Sequence, residues 1–347
     1  MSRLETLLGI DLPLILGPFG GLSSIALTAA VSDGGGLGSY GLYGYAPNRI
    51  RETVAQLRAA TSRPVAVNLW LPRGDEADAA DLDVQPFLDA AAPLFAAAGV
   101  EVPEPPASFL PPIAAQLDAV LEARPDVLSV VFGIPDADTL RAARERGIRV
   151  IGTATTVAEA VALEGAGVDA VVATGSEAGG HRVSFLREAS SSLVGTFALV
   201  PQVVDAVGIP VIAAGGIADR RGVTAAFALG AEGVQVGTAF LRTRQSAATT
   251  AHREAISAAA DTDTVLTRAM SGRLARGIPN RALREIEASG LIAPFPAQNW
   301  LTGVFRAAAT ARGDGDLVSL WAGQSAGLSR LDDAADVIDE LRAGLPG

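Results

Sequence analysis

One imidazole stands where a parallel α/β protein presents reactive groups. The stretch Ala170-Val171-Val172-Ala173 is an apolar run of the kind expected for a strand buried on both faces. It breaks into Thr174-Gly175-Ser176-Glu177-Ala178-Gly179-Gly180, small residues that let a backbone pass close to a ligand, and ends on His181. An imidazole at the exit of a buried strand can take a proton or orient a substrate. Taken alone it is equally a loop residue that caps or solvates. The rest of the composition narrows the chemistry. The chain of 347 residues has no cysteine, which removes disulfides, thiolate nucleophiles and Cys-ligated metals or clusters. It has no lysine either, so all 27 basic residues are arginine, and Schiff-base and pyridoxal-phosphate chemistry are excluded. With two histidines and no CxxC or HExxH spacing, no metal site is expected. Ser190-Ser191-Ser192 lies in no GxSxG elbow, so a serine hydrolase is not expected. What remains is one histidine, carboxylates, hydroxyls and a bound cofactor.

The elements that must position His181 follow a repeating beat. Apolar strand runs are read at 13–16, 34–41, 64–70, 127–134, 149–154, 170–174, 210–214 and 233–236. Helical patterns follow them, at 23–31 (capped by Ser23 or Ser24), 47–60, 137–146, 157–166 (capped by Thr155 or Thr156), 196–207 and 218–229. Residues 71–112 read as a decorated third connection with a helix near 84–98, completed by a helix at 113–123. Eight strands alternating with helices predict a parallel sheet closed into a (β/α)8 TIM barrel; an open doubly wound sheet normally carries fewer strands. From about residue 241 the beat changes. Residues 244–315 are expected to form a small helical cap inserted after strand eight, with 1–243 and 316–347 making the barrel. A last helix over 332–345 returns to the barrel wall.

A barrel works at the C-terminal ends of its strands. Here those ends carry Gly17-Pro18-Phe19, Asn68, Thr153, Ser176 to His181, Gly215-Gly216 and Gly237-Thr238. Nearly all are small or amide-bearing, so a flat ligand can lie across them against backbone atoms. The glycines after strands seven and eight sit where barrels commonly bind phosphate through backbone N–H groups. A phosphate-bearing cofactor is therefore expected, with flavin mononucleotide (FMN) the best fit to size. His252, in TTAHREA, reads as a solvated helix position, and the acids of 75–83 as a solvated loop. Glu177 is expected to order its loop, and Gln324 and Ser325 to fold back toward the cofactor. The net charge of −11 argues against a nucleic-acid partner. No apolar run reaches a membrane span, and the first residues lack a signal-peptide pattern, so the reading is a soluble cytoplasmic protein, monomer or homodimer.

Several blocks taken together resemble a known family. GPFGG at 17–21, VNLW at 67–70, TATT at 153–156, EAGGHR at 177–182, AAGGIAD at 213–219, GVQVGTAFL at 233–241, SGRLARGI at 271–278 and WAGQSAGL at 321–328 look like the nitronate monooxygenases. The resemblance implies an FMN-bearing barrel that oxidises alkyl nitronates with O2, propionate 3-nitronate among them, as a detoxification. It implies His181 as the active-site base, with Gly215, Gly216, Gly237 and Thr238 on the flavin phosphate. It also implies Gly17, Pro18, Phe19 and Asn68 against the isoalloxazine ring; Thr153, Ser176, Gly179 and Gly180 complete the expected cofactor rim. Leu16, Phe19 and Val183 stand where relatives commonly have Gln, Met and Gly. Two alternatives share the cofactor: an NAD(P)H-dependent enoyl-thioester reductase and a non-catalytic FMN-binding protein.

Overall fold

The computed structural model describes residues 2–346. Eight parallel strands make the barrel: β1 (Leu14–Leu16), β2 (Gly38–Gly41), β3 (Val65–Trp70), β4 (Val127–Val131), β5 (Arg149–Ala154), β6 (Ala170–Thr174), β7 (Val211–Ala214) and β8 (Gly233–Val236). Their order around the sheet is β1-β8-β7-β6-β5-β4-β3-β2. Leu16 N–H donates to Leu37 O (2.9 Å) and Leu37 N–H to Leu14 O (2.8 Å), which joins the two ends into a ring. The fold is the expected (β/α)8 barrel. Alternation along each strand sorts the side chains. Ile15, Ala66, Val127, Ile151, Ala170, Val172 and Ile212 point to the interior. Leu14, Leu16, Val65, Val67, Leu128, Val130 and Val171 face the helices.

A helix absent from the sequence reading, Arg3–Leu8, plugs the N-terminal end of the barrel. Its capping box of Ser2 and Glu5 starts it, Gly9 in the left-handed region (φ +67°) stops it, and Leu4 and Leu8 join the interior cluster. Burying each leucine contributes roughly 1.5–3 kcal/mol. The outer helices begin where hydroxyl caps place them. Ser24 Oγ accepts from Leu27 N–H (2.9 Å), and Thr156 Oγ1 from Glu159 N–H (3.3 Å). Ser23 instead ties the first loop together, donating to Phe19 O (2.9 Å) and accepting from Gly41 N–H (3.0 Å). The last helix, Ala334–Arg342, packs on the wall against Ile25–Asp33, as expected.

Three features differ from the expectation. β2 is only Gly38–Gly41, shorter than the 34–41 read from the sequence, because Gly35 at φ +94° turns the chain out of extended backbone before it. The region after β8 holds helices Thr250–Ala258, Arg281–Ser289 and Ala297–Arg312, together with strands Val265–Thr267 and Ala275–Gly277. Those strands pair antiparallel with each other, and the second also pairs with the short strand Gly180–His181. Finally, the helix Gln85–Ala98, assigned from sequence to the third connection, buries Leu88, Leu94 and Phe95 in a second core with Ala282, Leu301 and Phe305. Its apolar face is covered by the region after β8, with Phe95 and Phe305 edge to face at 5.7 Å.

Candidate active site

His181 is held by backbone geometry. Its strand residue pairs with Ala275, and the next residue, Arg182, donates its N–H to Leu274 O at 2.8 Å. The loop that delivers it is braced from below. Arg182, 1% exposed, donates its guanidinium to the Gly175 and Thr174 carbonyls. Arg276 Nε–H donates to Ser176 O (2.9 Å). Glu177 accepts Thr196 N–H (2.9 Å) and Oγ1–H (2.9 Å) at the start of helix Thr196–Ala206, where a carboxylate also meets the positive helix end. Glu177 orders the loop, as expected.

The segment 321–328 closes over this loop. Gln324 N–H donates to Glu177 O (2.9 Å), Ser325 Oγ–H to Gly216 O (2.8 Å) and Gly323 N–H to Thr238 Oγ1 (3.0 Å). Close approach requires glycine at both faces: a Cβ on Gly179 would lie 2.6 Å from Gly323 N, and one on Gly323 2.8 Å from Glu177 O. His252 supports the same segment, with Nε2 2.9 Å from Trp321 O. It is buried, not solvated as its sequence context suggested, because its helix turns that face onto residues 321–326.

Between these parts lies a cavity with about 1460 Å³ of open space, part of it continuous with solvent. Gly17, Pro18, Phe19, Asn68, Thr153, Gly179, Gly180, His181, Gly215, Gly216, Gly237 and Thr238 all line it. Ser176 does not: its backbone N–H is taken by Val194 O and its carbonyl by Arg276, so it belongs to the bracing behind the wall. Asn68 is fixed by donating to Ser129 O and Oγ (3.2 and 2.9 Å). Trp70, Phe132 and Trp321 surround the imidazole, with ring centroids 4.7, 6.4 and 5.3 Å away. Ser271 Oγ is 2.7 Å from His181 Nε2. Burial among these rings, with the Arg273 and Arg306 guanidiniums nearby, pushes the imidazolium down to about 3, so His181 is neutral at ordinary pH.

The wall opposite comes from helix Ala297–Arg312, which sequence reasoning missed. Arg306 lines the cavity, donating to Asn299 O (3.0 Å), Asn299 Oδ1 (2.8 Å) and Ser319 Oγ (3.2 Å). Asn299 Nδ2 in turn donates to the Tyr43 hydroxyl (3.2 Å). Among the described residues Arg306 forms no ion pair, whereas Arg273 is neutralised by Asp75 and Glu76. No carboxylate lines the cavity, although the chain carries 38 acidic residues. Of the missed residues, Trp70, Trp321 and Ser271 lie inside blocks legible in the sequence; Asn299 and Arg306 carried no local signal. No cluster of three potential metal ligands occurs among the described residues.

A closed barrel with its histidine, glycine rim and roof at the C-terminal strand ends defines a barrel enzyme. Its sequence matches the nitronate monooxygenase family over residues 1–344, and the chain belongs to that family of oxidoreductases. A probable nitronate monooxygenase of Staphylococcus aureus (strain MSSA476) is 40% identical over 343 residues, covering 98% of this chain and 96% of its own. The structure of nitroalkane oxidase from Streptomyces ansochromogenes superposes with a TM-score of 0.89 at 36% identity, covering 99% of this chain and 97% of that one. FabK from Thermotoga maritima superposes with a TM-score of 0.77 at 32% identity, covering 99% and 95%.

Proposed function

We propose that the protein oxidises alkyl nitronates with O2 to a carbonyl compound and nitrite, using FMN at the barrel mouth. The observation that carries this reading is the charge of the cavity. In a chain of net charge −11, the lining has no carboxylate and includes a guanidinium without an ion-pair partner. Such a site favours an anion, and a nitronate arrives as one.

The residues fit the cofactor. Gly215 and Gly216 hold positive φ (+101° and +76°), and a Cβ at Gly215 would sit 3.0 Å from Thr196 Oγ1 and 3.1 Å from Ala178 N. The glycine rim thus lets a phosphate reach the backbone of 215–216 and 237–238. Gly17, Pro18, Phe19, Asn68, Thr153, Gly179 and Gly180 are left for the ring. Bound FMN would supply the electron acceptor. The chain's own contribution is positioning. Arg306 offsets the nitronate charge, and the aromatic wall excludes water. His181, with Nε2 engaged by Ser271, leaves Nδ1 for the substrate. Because the imidazole is held neutral with so acidic a conjugate acid, it is a poor base toward a neutral nitroalkane, and the preformed nitronate is the better substrate.

Anaerobic addition of an alkyl nitronate is expected to bleach the flavin, with recovery in air. His181→Asn should keep FMN and lose turnover of nitronates, because the ring that faces the substrate is gone. Full activity in that variant, or wild-type rates on neutral nitroalkane equal to those on nitronate, would overturn the assignment. A second reading on the same barrel and cofactor is an NAD(P)H-dependent enoyl-thioester reductase; bleaching by NADH but not by nitronate would establish it. No described helix is long and apolar enough to cross a membrane, in keeping with a cytoplasmic enzyme.

A further inference from the structure

A second cavity, with about 930 Å³ of open space, lies beside the first. The two share Tyr43 and Trp70, so the partition between them is one layer of side chains. Those rings sit 4.2 Å apart, and Phe295 completes the layer about 6 Å from each (6.1 and 6.0 Å). The two spaces differ in charge. The first carries positive charge and no carboxylate. The second is walled by Leu69, Leu71, Leu110, Pro111 and Ile113, and its guanidinium, Arg273, is already neutralised by Asp75 and Glu76. Exposed Asp78 adds negative charge at its rim.

We infer that the second cavity is a tail subsite, taking the uncharged alkyl chain of a nitronate whose anionic head lies by His181. This rests on the nitronate reading above. The occupant follows from the second cavity lying one side-chain layer from the reaction cavity, and from charge. An apolar chain loses nothing against leucine and proline walls, whereas a second carboxylate at the tail end would meet Glu76 and Asp78 with no free cation beside them. Tyr43 closes the partition: Asn299 Nδ2 donates to its hydroxyl at 3.2 Å, burial pushes its pKa up so that it stays neutral, and a chain entering the second cavity has to displace this ring.

The test is a chain-length series on the FMN-loaded enzyme, from ethyl to hexyl nitronate, with straight-chain carboxylates of matching length as unreactive competitors. Each methylene entering the second cavity should lower KM and the inhibition constant by about fourfold. A hexyl nitronate with a terminal carboxylate should gain nothing over the ethyl compound. Leu110→Trp, which fills the cavity from its outer loop, should flatten the series and leave ethyl nitronate turnover unchanged. Ala79→Phe fills it from a different loop and decides the matter if the first variant folds poorly. A flat wild-type series with good turnover of short nitronates would overturn the tail subsite alone, as would a steep series untouched by both fillers. No turnover of any nitronate would instead overturn the reading on which it rests.

Discussion

Replacing His252 by glutamine isolates the acid sensitivity of one buried histidine. His252 is 1% exposed, and burial pushes its imidazolium from 6.5 down to about 4, against a smaller opposing effect of the Trp321 carbonyl. Below 6.5 the unfolded chain takes up a proton here that the folded chain refuses. The stability contributed by the neutral ring is therefore fully present above that value and is lost as pH falls toward 4. At roughly 1.4 kcal/mol per pKa unit the full loss is about 3 kcal/mol, of which about 2 kcal/mol has gone by pH 5. Glutamine keeps an N–H for the Trp321 carbonyl and cannot titrate. At pH 7.5 the variant should be less stable by about 1–2 kcal/mol, through poorer packing and a poorer hydrogen bond. At pH 5 the gap should close or change sign. His181, also held neutral, adds the same acid sensitivity to both proteins and cancels from the difference. Urea unfolding of both proteins at pH 7.5, 6 and 5, followed by circular dichroism, gives the gap directly. A gap independent of pH would refute the reasoning, because it would mean that the folded protein accepts the proton at His252 as readily as the unfolded chain does.

Two further substitutions test the bracing of the site. Gly215→Ala places a Cβ 3.0 Å from Thr196 Oγ1 at a φ of +101°, so FMN affinity measured by fluorescence titration should fall at least tenfold, about 1.4 kcal/mol, while the barrel persists by circular dichroism. Glu159, wholly buried, accepts from Thr155 N–H and Oγ1–H and from Phe185 N–H, each at 2.7 Å, so Glu159→Gln sets a donor against donors. It should cost about 2–3 kcal/mol in urea unfolding; a change under about 0.5 kcal/mol would show the site relaxes around it.

The barrel was legible because each strand and helix carries its own punctuation. Helix Val157–Ala166 lies where the pattern predicts it, between a threonine cap and Gly167 in the left-handed region (φ +96°). β5 and β8 are apolar runs bounded by turn residues. The roof was much less legible. Strands of two or three residues, such as Gly180–His181 and Val265–Thr267, are too short to show a period of two, and only their partners make them strands. Helix Ala297–Arg312 was hidden by Trp300 and by Pro294 and Pro296, although a proline at the start of a helix is a permitted beginning. His181 and the glycines could be placed at strand ends from sequence because barrel topology says where strand ends meet. Arg306 and Asn299 reach the cavity from the region after β8, and nothing local in their surroundings marks the direction they face. His252 was misread for the same reason: a histidine on an amphipathic helix looks solvated until the opposite surface is known.

The roof over the cavity also dictates an order of events. Every barrel strand is complete by Val236, yet the bonds to Glu177, Gly216 and Thr238 come from residues 323–325. A nascent chain that has emerged only through β8 has a barrel whose mouth is unlidded, and so does any fragment cut in the region after it. The bonds that roof the mouth therefore cannot form before residues 323–325 have been made, and a cut between β8 and residue 321 would sever the roof segment from the barrel in sequence without touching a single barrel strand.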